Sequence, residues 1–364
     1  MNREISSWQM AGLLFVFLTG AITLVIPAPL LSEARSGVGL SWMITGLFGF
    51  LYLCCILYIT VQFPGKTLYQ CSEMLLGRGV AIIFAIPFIV QALLLAAYIY
   101  SPVSGFFSTT MMRETPTYVF NGLNVLVSAL TAYAGIEVIS RLFTLLLAIL
   151  VGSIVLVLLF NFPQYHPDYL LPFMPYGFKP ILHSAYYGSG VAYGDLLTVA
   201  MLFCFIHIDK RKRNIRTKPL FIAFAASWMI IFLVNICVIM ALGPMSEEFK
   251  YPLYILARLV NFQDFITRIE AFIGIALLIG SIMKATVTIY SLNLVLTQLL
   301  KLKEEKLLII PLALAIFQLS QLLATREPQL NPVFAYWPLT TFVVSLPVYF
   351  MIIVIIINKY RKAA

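Results

Sequence analysis

Thr19-Gly20-Ala21 interrupts the first long apolar run of this chain, and Gly188-Ser189-Gly190-Val191-Ala192-Tyr193-Gly194-Asp195 interrupts another, five apolar runs further on. Each stretch sits near the middle of a run long enough to cross a bilayer. Inside hydrocarbon an unwound backbone survives only where protein or a water-lined cavity satisfies its freed N–H and C=O groups. Paired breaks in corresponding positions of two halves therefore mark a small-molecule site between the halves. The spacing predicts an all-α membrane protein of about ten transmembrane helices in a 5+5 inverted repeat, with helices one and six unwound. The repeats fall at about 8-160 and about 182-357, within a single transmembrane domain over 1-364.

Composition supports the same class. The 364 residues are 61% hydrophobic and 11% charged, whereas soluble domains carry about 25% charged residues. Mean hydropathy is +0.96. Stretches able to cover about 30 Å of hydrocarbon lie at 8-31, 39-62, 80-106, 117-136, 142-160, 182-207, 219-243, 268-298, 307-324 and 333-357, which leaves little chain for a soluble domain.

The formal charge of +9 has two readings, nucleic acid or membrane surface, and position decides between them. With the N-terminus inside, sixteen of the 24 Lys and Arg residues fall on inner segments and seven on outer ones, and Lys284 alone lies within a helix. The positive-inside rule then places both termini in the cytoplasm. Lys210-Arg211-Lys212-Arg213 reads as a topology anchor, and no nucleic-acid partner is expected. The five cysteines lack metal-ligand spacing and read as small packing residues. Met1 to Ser7 leads into the first span without a small-residue cleavage site, so that span is expected to be retained.

Local signals place the connections. Ser6-Ser7 can cap the first helix, and Pro27 and Pro29 kink its outer end. Phe63-Pro64-Gly65-Lys66-Thr67-Leu68 opens a short inner interfacial helix that ends near Leu76-Gly77-Arg78. A Pro- and Tyr-rich outer segment from Asp168-Tyr169-Leu170-Leu171-Pro172 onward suits an interfacial lid. A further short outer helix is expected at 251-260. Aromatics such as Tyr98, Tyr100, Tyr165, Tyr169, Tyr176, Tyr336 and Trp337 gather near outer helix ends, as interface belts do.

Few side chains inside the spans carry chemistry. A charge at mid-helix costs about 2.5–3.5 kcal/mol on insertion scales, so Lys284 demands a partner or water. Asp195, at the second break, is the candidate partner, with both groups facing a central cavity. At Thr19-Gly20-Ala21 the backbone is open, and a helix that restarts there aims its positive end at an anion such as a carboxylate. Glu137 and Arg141, at i and i+4, have the spacing of a structural ion pair at the inner end of helices four and five. Arg268 and Glu270 begin helix eight, where Glu270 favours the helix dipole. His166, His183 and His207 lie on separate segments, so neither a metal site nor a catalytic triad is expected. Without a Gly-x-x-x-x-Gly-Lys loop, direct ATP use is not indicated. No enzymatic activity and no cofactor are expected.

At several of these motifs the chain resembles the spore germination permease family, the B subunits of nutrient germinant receptors within the amino acid-polyamine-organocation transporter superfamily. The resemblance runs through nearly the whole chain. It is carried by Phe63-Pro64-Gly65-Lys66-Thr67-Leu68 with Leu76-Gly77-Arg78, Gly135-x-Glu137-x-x-x-Arg141, Asp168-x-Leu170-Leu171-Pro172, Tyr193-Gly194-Asp195 and Arg268-x-Glu270-Ala271-Phe272. It implies a LeuT-like inverted-repeat fold whose central pocket senses a small germinant, commonly an amino acid. It further implies signalling to A and C partner subunits in the spore inner membrane. Carried onto this sequence, it places Gly20 in the first break, Tyr193 and Gly194 in the second, and Lys284 with Thr288 on the pocket face of helix eight. Ala92 and Ala96 of helix three would form the opposite wall. The chain departs from the family where helix one exits: it has Glu33-Ala34-Arg35-Ser36-Gly37, and Ser41 stands before Trp42 where an acidic residue is frequent.

Two functions share such a pocket. One is a germinant-sensing receptor subunit, favoured by the family motifs, and the other is an autonomous amino acid permease, proton-coupled or facilitative. A third, an open ion pore, would require a continuous polar lumen that so few intramembrane polar side chains do not supply. In the inverted-repeat fold the Lys284 ammonium would also stand in place of a coupling cation between helices one and eight, which makes sodium unnecessary.

Overall fold

The computed structural model describes residues 4–174, 176–208, 215–259, 269–325 and 336–363. The basic run 210–213 and Arg268 lie outside the described residues. Among those described, eight helical stretches are long and apolar enough to cross a membrane.

Helix one is built from three pieces: α1 (Ser7–Thr19), α2 (Ile22–Val25) and α3 (Pro27–Ala34). Its start is a reciprocal cap, in which the Gln9 N–H donates to Ser6 Oγ at 3.1 Å and the Ser6 N–H to Gln9 Oε1 at 2.9 Å. Such a box satisfies two of the N–H groups a helix start leaves orphaned. The break falls at Gly20-Ala21. Proline explains the outer interruption, because Pro27 and Pro29 have no N–H to continue the ladder. Helix two is α4 (Val38–Gln62). Then come α5 (Leu68–Leu76), capped by a second box between Thr67 and Gln70, and α6 (Arg78–Phe106). α5 is the short inner helix expected after the Pro-Gly turn.

α7 (Thr117–Ala134) and α8 (Ile136–Phe160) meet at Gly135, whose φ of +96° turns the chain in a single residue. The expected boundaries of 136 and 142 are corrected here: Glu137 and Arg141 both belong to α8. Helix six is corrected more substantially. It does not unwind; α9 (Phe178–Gly188) passes into a π-helical turn at Ser189–Gly194, bends at Asp195 and continues as α10 (Leu196–Ala200) with a tighter turn to Phe205. A π turn keeps most backbone groups paired while inserting one residue, so the same glycine spacing serves a milder distortion.

α11 (Lys218–Leu242), α12 (Pro252–Leu259), α13 (Glu270–Leu300), α14 (Ile309–Thr325) and α15 (Trp337–Ala363) complete the chain. α12 is the short helix expected at 251-260. α1, α13 and helix six are the most enclosed spans, whereas α8 and α15 turn much of their apolar surface outward. α13 packs against α1, α6, α7 and α8, and α1 against α8, α11 and α13. The long helix bearing Lys284 thus stands at the centre.

Candidate functional site

The break in helix one is fixed by backbone contact. A Cβ at Gly20 would come 2.8 Å from the Gly280 carbonyl oxygen, and one at Gly280 would come 2.6 Å from the Gly20 carbonyl carbon. Only glycine at both positions lets the two chains meet this closely. The carbonyls freed by the break find a local donor, since Thr23 Oγ1 lies 2.6 Å from the Thr19 oxygen and 3.0 Å from the Gly20 oxygen. Thr19 itself is buried, and its hydroxyl donates back to Phe15 O at 2.8 Å.

One turn beyond Gly280, Lys284 is 3% exposed and touches both interrupted helices. Its ammonium lies 3.9 Å from Asp195 Oδ2 on helix six and 5.1 Å from the centroid of the Phe17 ring on α1. The other oxygen of Asp195 accepts a hydrogen bond from Gln91 Nε2 of α6 at 3.2 Å. A buried charge pair needs its remaining valences satisfied, and Gln91 and Phe17 contribute to that here. Neither was anticipated, although Gln91 is the one carboxamide in the apolar α6 and carries that signal in the sequence.

Asp195 and Lys284 line a cavity of about 40 Å³ with Ala21, Ile22, Val25, Ile26, Leu95, Tyr98, Ile99, Pro102, Tyr187, Val191 and Trp337. The walls are thus mainly apolar, with one charge pair at one side. About 10–15 Å³ holds a water, so the chamber fits a few waters.

The remaining candidates are distributed around this chamber. Ala21 lines it. Thr288 is buried one turn along α13, and its hydroxyl donates to Lys284 O at 2.9 Å. Ala92 and Ala96 are buried, but α6 presents Leu95, Tyr98, Ile99 and Pro102 to the chamber, with Gln91 on Asp195. One residue of helix is a rotation of about 100°. Tyr193 packs between Trp42 and Phe224, at ring separations of 5.8 and 5.0 Å. A Cβ at Gly194 would come 2.5 Å from the Thr341 side chain. Tyr193 and Gly194 line a separate cavity of about 130 Å³ against α4 and α15. Glu137 and Arg141, both exposed, form no ion pair with each other among the described contacts. The gain from an exposed pair is too small to fix two long side chains.

Contacts away from the chamber tie segments distant in sequence at both ends of helix one. On the outer side Arg35, at φ +48°, pairs through Nε with Glu247 at 2.8 Å and donates to the Tyr176 hydroxyl at 2.6 Å. Ser36 Oγ donates to Pro172 O at 2.6 Å, and Glu33 meets His183 at 3.1 Å. These contacts gather on the segment 33–36, where helix one exits. At the inner side Ile5 exchanges backbone hydrogen bonds with Phe205 and His207, each 2.9 Å, and Glu4 contacts the His207 ring.

Comparison with known proteins bears on this arrangement. The family described as Spore germination protein matches residues 4–328. Spore germination protein KB of Bacillus subtilis (strain 168) is 26% identical over 374 residues, covering 99% of this chain and 97% of that protein. Two solved structures share the fold. One is MhsT in complex with L-phenylalanine, with a TM-score of 0.70 and 12% identity over 96% of this chain and 89% of that one. The other is a substrate-bound, outward-open Na+-coupled sialic acid symporter, with a TM-score of 0.69 and 13% identity over 96% and 80%.

Proposed function

This chain belongs to the spore germination protein family, and from that membership we propose that it is the germinant-sensing integral membrane subunit of a spore nutrient receptor. In this reading it spans the spore inner membrane ten times in a 5+5 inverted repeat, with both termini cytoplasmic. α7 and α14, at 18 and 17 residues, supply the two crossings beyond the eight long apolar stretches. It binds a small molecule, an amino acid, in the chamber beside Lys284 and passes the resulting shift in conformation to A and C subunits. It catalyses no reaction.

The observation that carries this reading is the Lys284–Asp195 pair, buried where the continuous α13 meets the two interrupted helices, one and six. Charges in the middle of a membrane protein are costly and mark functional sites. An α-amino acid carries a carboxylate and an ammonium, and the pair offers each an opposite charge. The N–H groups that follow the break at Gly20-Ala21 supply further donors for the carboxylate. The substrate-binding set is thus Thr19, Gly20, Ala21, Asp195, Lys284 and Thr288, with Tyr193, Gly194, Ala92 and Ala96 shaping the packing around it. A chamber of about 40 Å³ must enlarge to admit a ligand. Binding then favours the wider state by the difference in affinity between the two, and that difference is the signal available to partner subunits.

The alternative, an autonomous permease, is favoured by one observation, the likeness of fold to a substrate-bound symporter and to MhsT in complex with L-phenylalanine. The contacts at both ends of helix one would then open in turn. Uptake and binding of the same radiolabelled amino acids in vesicles containing this chain alone separate the two, with Lys284→Ala as control. Saturable accumulation that the control abolishes makes it a permease; binding without accumulation, weakened in the control, makes it a sensor.

A further inference from the structure

Helix six has a cavity on each side. Tyr187, Val191 and Asp195 line the central chamber, whereas Ser189, Gly190, Tyr193 and Gly194 line a separate space of about 130 Å³ bounded by α4 and α15. Its depth follows from the helices around it. Gly49 and Tyr52 lie at the middle of the 25-residue α4, and the π turn at Ser189–Gly194 at the middle of the apolar stretch Phe178–Phe205. α4 and α15 both belong to stretches long and apolar enough to cross a membrane. The space therefore lies at the level of the hydrocarbon, away from both aqueous faces.

Exposure shows where it opens. Phe48 and Phe342, at 59% and 57% exposed, stand at its rim, whereas Tyr52, Thr341 and Ser345, at 8%, 4% and 5%, lie within. The rim is thus continuous with the lipid-facing surface of α4 and α15. No water bathes such an opening in the bilayer core, so acyl chains do. The interior suits them. Its serine and threonine hydroxyls are committed as donors within their own helices: Ser189 Oγ to Tyr186 O at 2.8 Å, Thr341 Oγ1 to Pro338 O at 2.8 Å and Ser345 Oγ to Phe342 O at 2.7 Å. An apolar guest leaves none of these donors unmatched, the event that costs about 1–3 kcal/mol. Aromatic rings supply much of the remaining wall, with Tyr349 standing 6.2 Å from Tyr52 and 6.5 Å from Phe342 between centroids. An apolar cavity of about 150 Å³ holds benzene, so this one admits on the order of six carbons of a chain.

We propose that this cavity is a binding site for an acyl chain of a bilayer phospholipid, which enters between α4 and α15 and ends against the π turn of helix six. The chain then backs the segment that leads into Asp195, so the bilayer touches the reverse side of the chamber wall. The site does not depend on what the central chamber binds.

The test is photolabelling by lipid. Full-length protein is placed in dioleoylphosphatidylcholine liposomes containing a phosphatidylcholine with a diazirine within one acyl chain, and after illumination the adducts are located by mass spectrometry. The expected adducts fall on Tyr52, Thr341 or Ser345 as well as on the rim residues Phe48 and Phe342. Ser345→Leu, which fills the interior, should reduce the inner adducts several-fold and leave those on the remote, exposed Leu145 unchanged. Ser345→Ala should reduce neither. Thermal unfolding shows whether each variant is folded, and the unsubstituted protein carries the test by itself. Adducts confined to Phe48, Phe342 and other outward residues would reduce the cavity to ordinary lipid contact and overturn the proposal. Inner adducts that folded Ser345→Leu protein keeps in full, or equal inner labelling by a lipid whose diazirine sits in the headgroup, would overturn it as well.

Discussion

Helix one and helix six are both interrupted near Lys284, but by different physics. In helix one the interruption rests on main chain: Gly20 abuts the backbone of Gly280, and Thr23 turns its hydroxyl onto the two freed carbonyls. In helix six the backbone stays wound as a π turn, and the obstacle to a larger residue is α15: a Cβ at Gly190 would come 2.4 Å from Pro338 Cα, and one at Gly194 2.5 Å from Thr341 Cβ. None of these atoms moves aside by a change of rotamer. The two interruptions are therefore held by different partners, helix one by α13, which bears Lys284, and helix six by α15.

The most severe way to break this comparison is to remove the group that joins the two helices. Lys284→Met leaves Asp195 as an uncompensated buried charge, and losing one partner of a buried pair costs about 3–5 kcal/mol. Unfolding of the purified protein should report that loss, together with loss of ligand binding. Combining Lys284→Met with Asp195→Leu removes both charges and should recover most of the stability without recovering binding. Equal binding by the single variant would remove Lys284 from the site.

A smaller effect separates the two interruptions directly. Gly20→Ala should cost about 1–3 kcal/mol, the range for forcing atoms into a packed interior, and no side-chain truncation nearby can relieve it. Gly194→Ala should cost a similar amount, and Thr341→Ala should relieve only part of it, because the Thr341 Cβ that stands 2.5 Å away is kept in alanine; melting temperatures of the four proteins check this. Full rescue by Thr341→Ala would show that the contact at Gly194 yields where the one at Gly20 does not. Gln91→Leu ranks next. It removes one hydrogen bond from a carboxylate that keeps its lysine, at about 1 kcal/mol net, and should weaken ligand binding several-fold in a titration. The smallest expected effect is none: replacing sodium by choline should leave ligand affinity unchanged, because Lys284 already supplies a cation beside α1. A sodium-dependent affinity would contradict that.

The legibility of this molecule in its sequence follows the same divide. Apolar run lengths disclose the spans, because hydrocarbon thickness fixes them. Lys284 and Asp195 stand out because a charge is rare at those depths, and the resemblance to the germination family rests on motifs at turns, helix ends and the helix-six break. What the glycines at 188, 190 and 194 do could not be read, since a π turn and an unwound segment ask for the same small residues. Gln91 was passed over because one amide leaves no periodic trace in an apolar helix. Ala92 and Ala96 rest on the family resemblance alone, and their small size serves helix packing as well as a pocket. The Arg35 contact depends on a partner some 140 residues away at Tyr176, a separation that no local pattern encodes.

The most direct measurement is equilibrium binding and uptake of a radiolabelled amino acid panel by vesicles holding this chain alone, in parallel with Lys284→Ala. Saturable binding without accumulation, lost in the variant, is the predicted result for a transporter fold that senses through its central chamber. Accumulation against a gradient would contradict the sensor. Binding indifferent to Lys284→Ala would contradict the site itself.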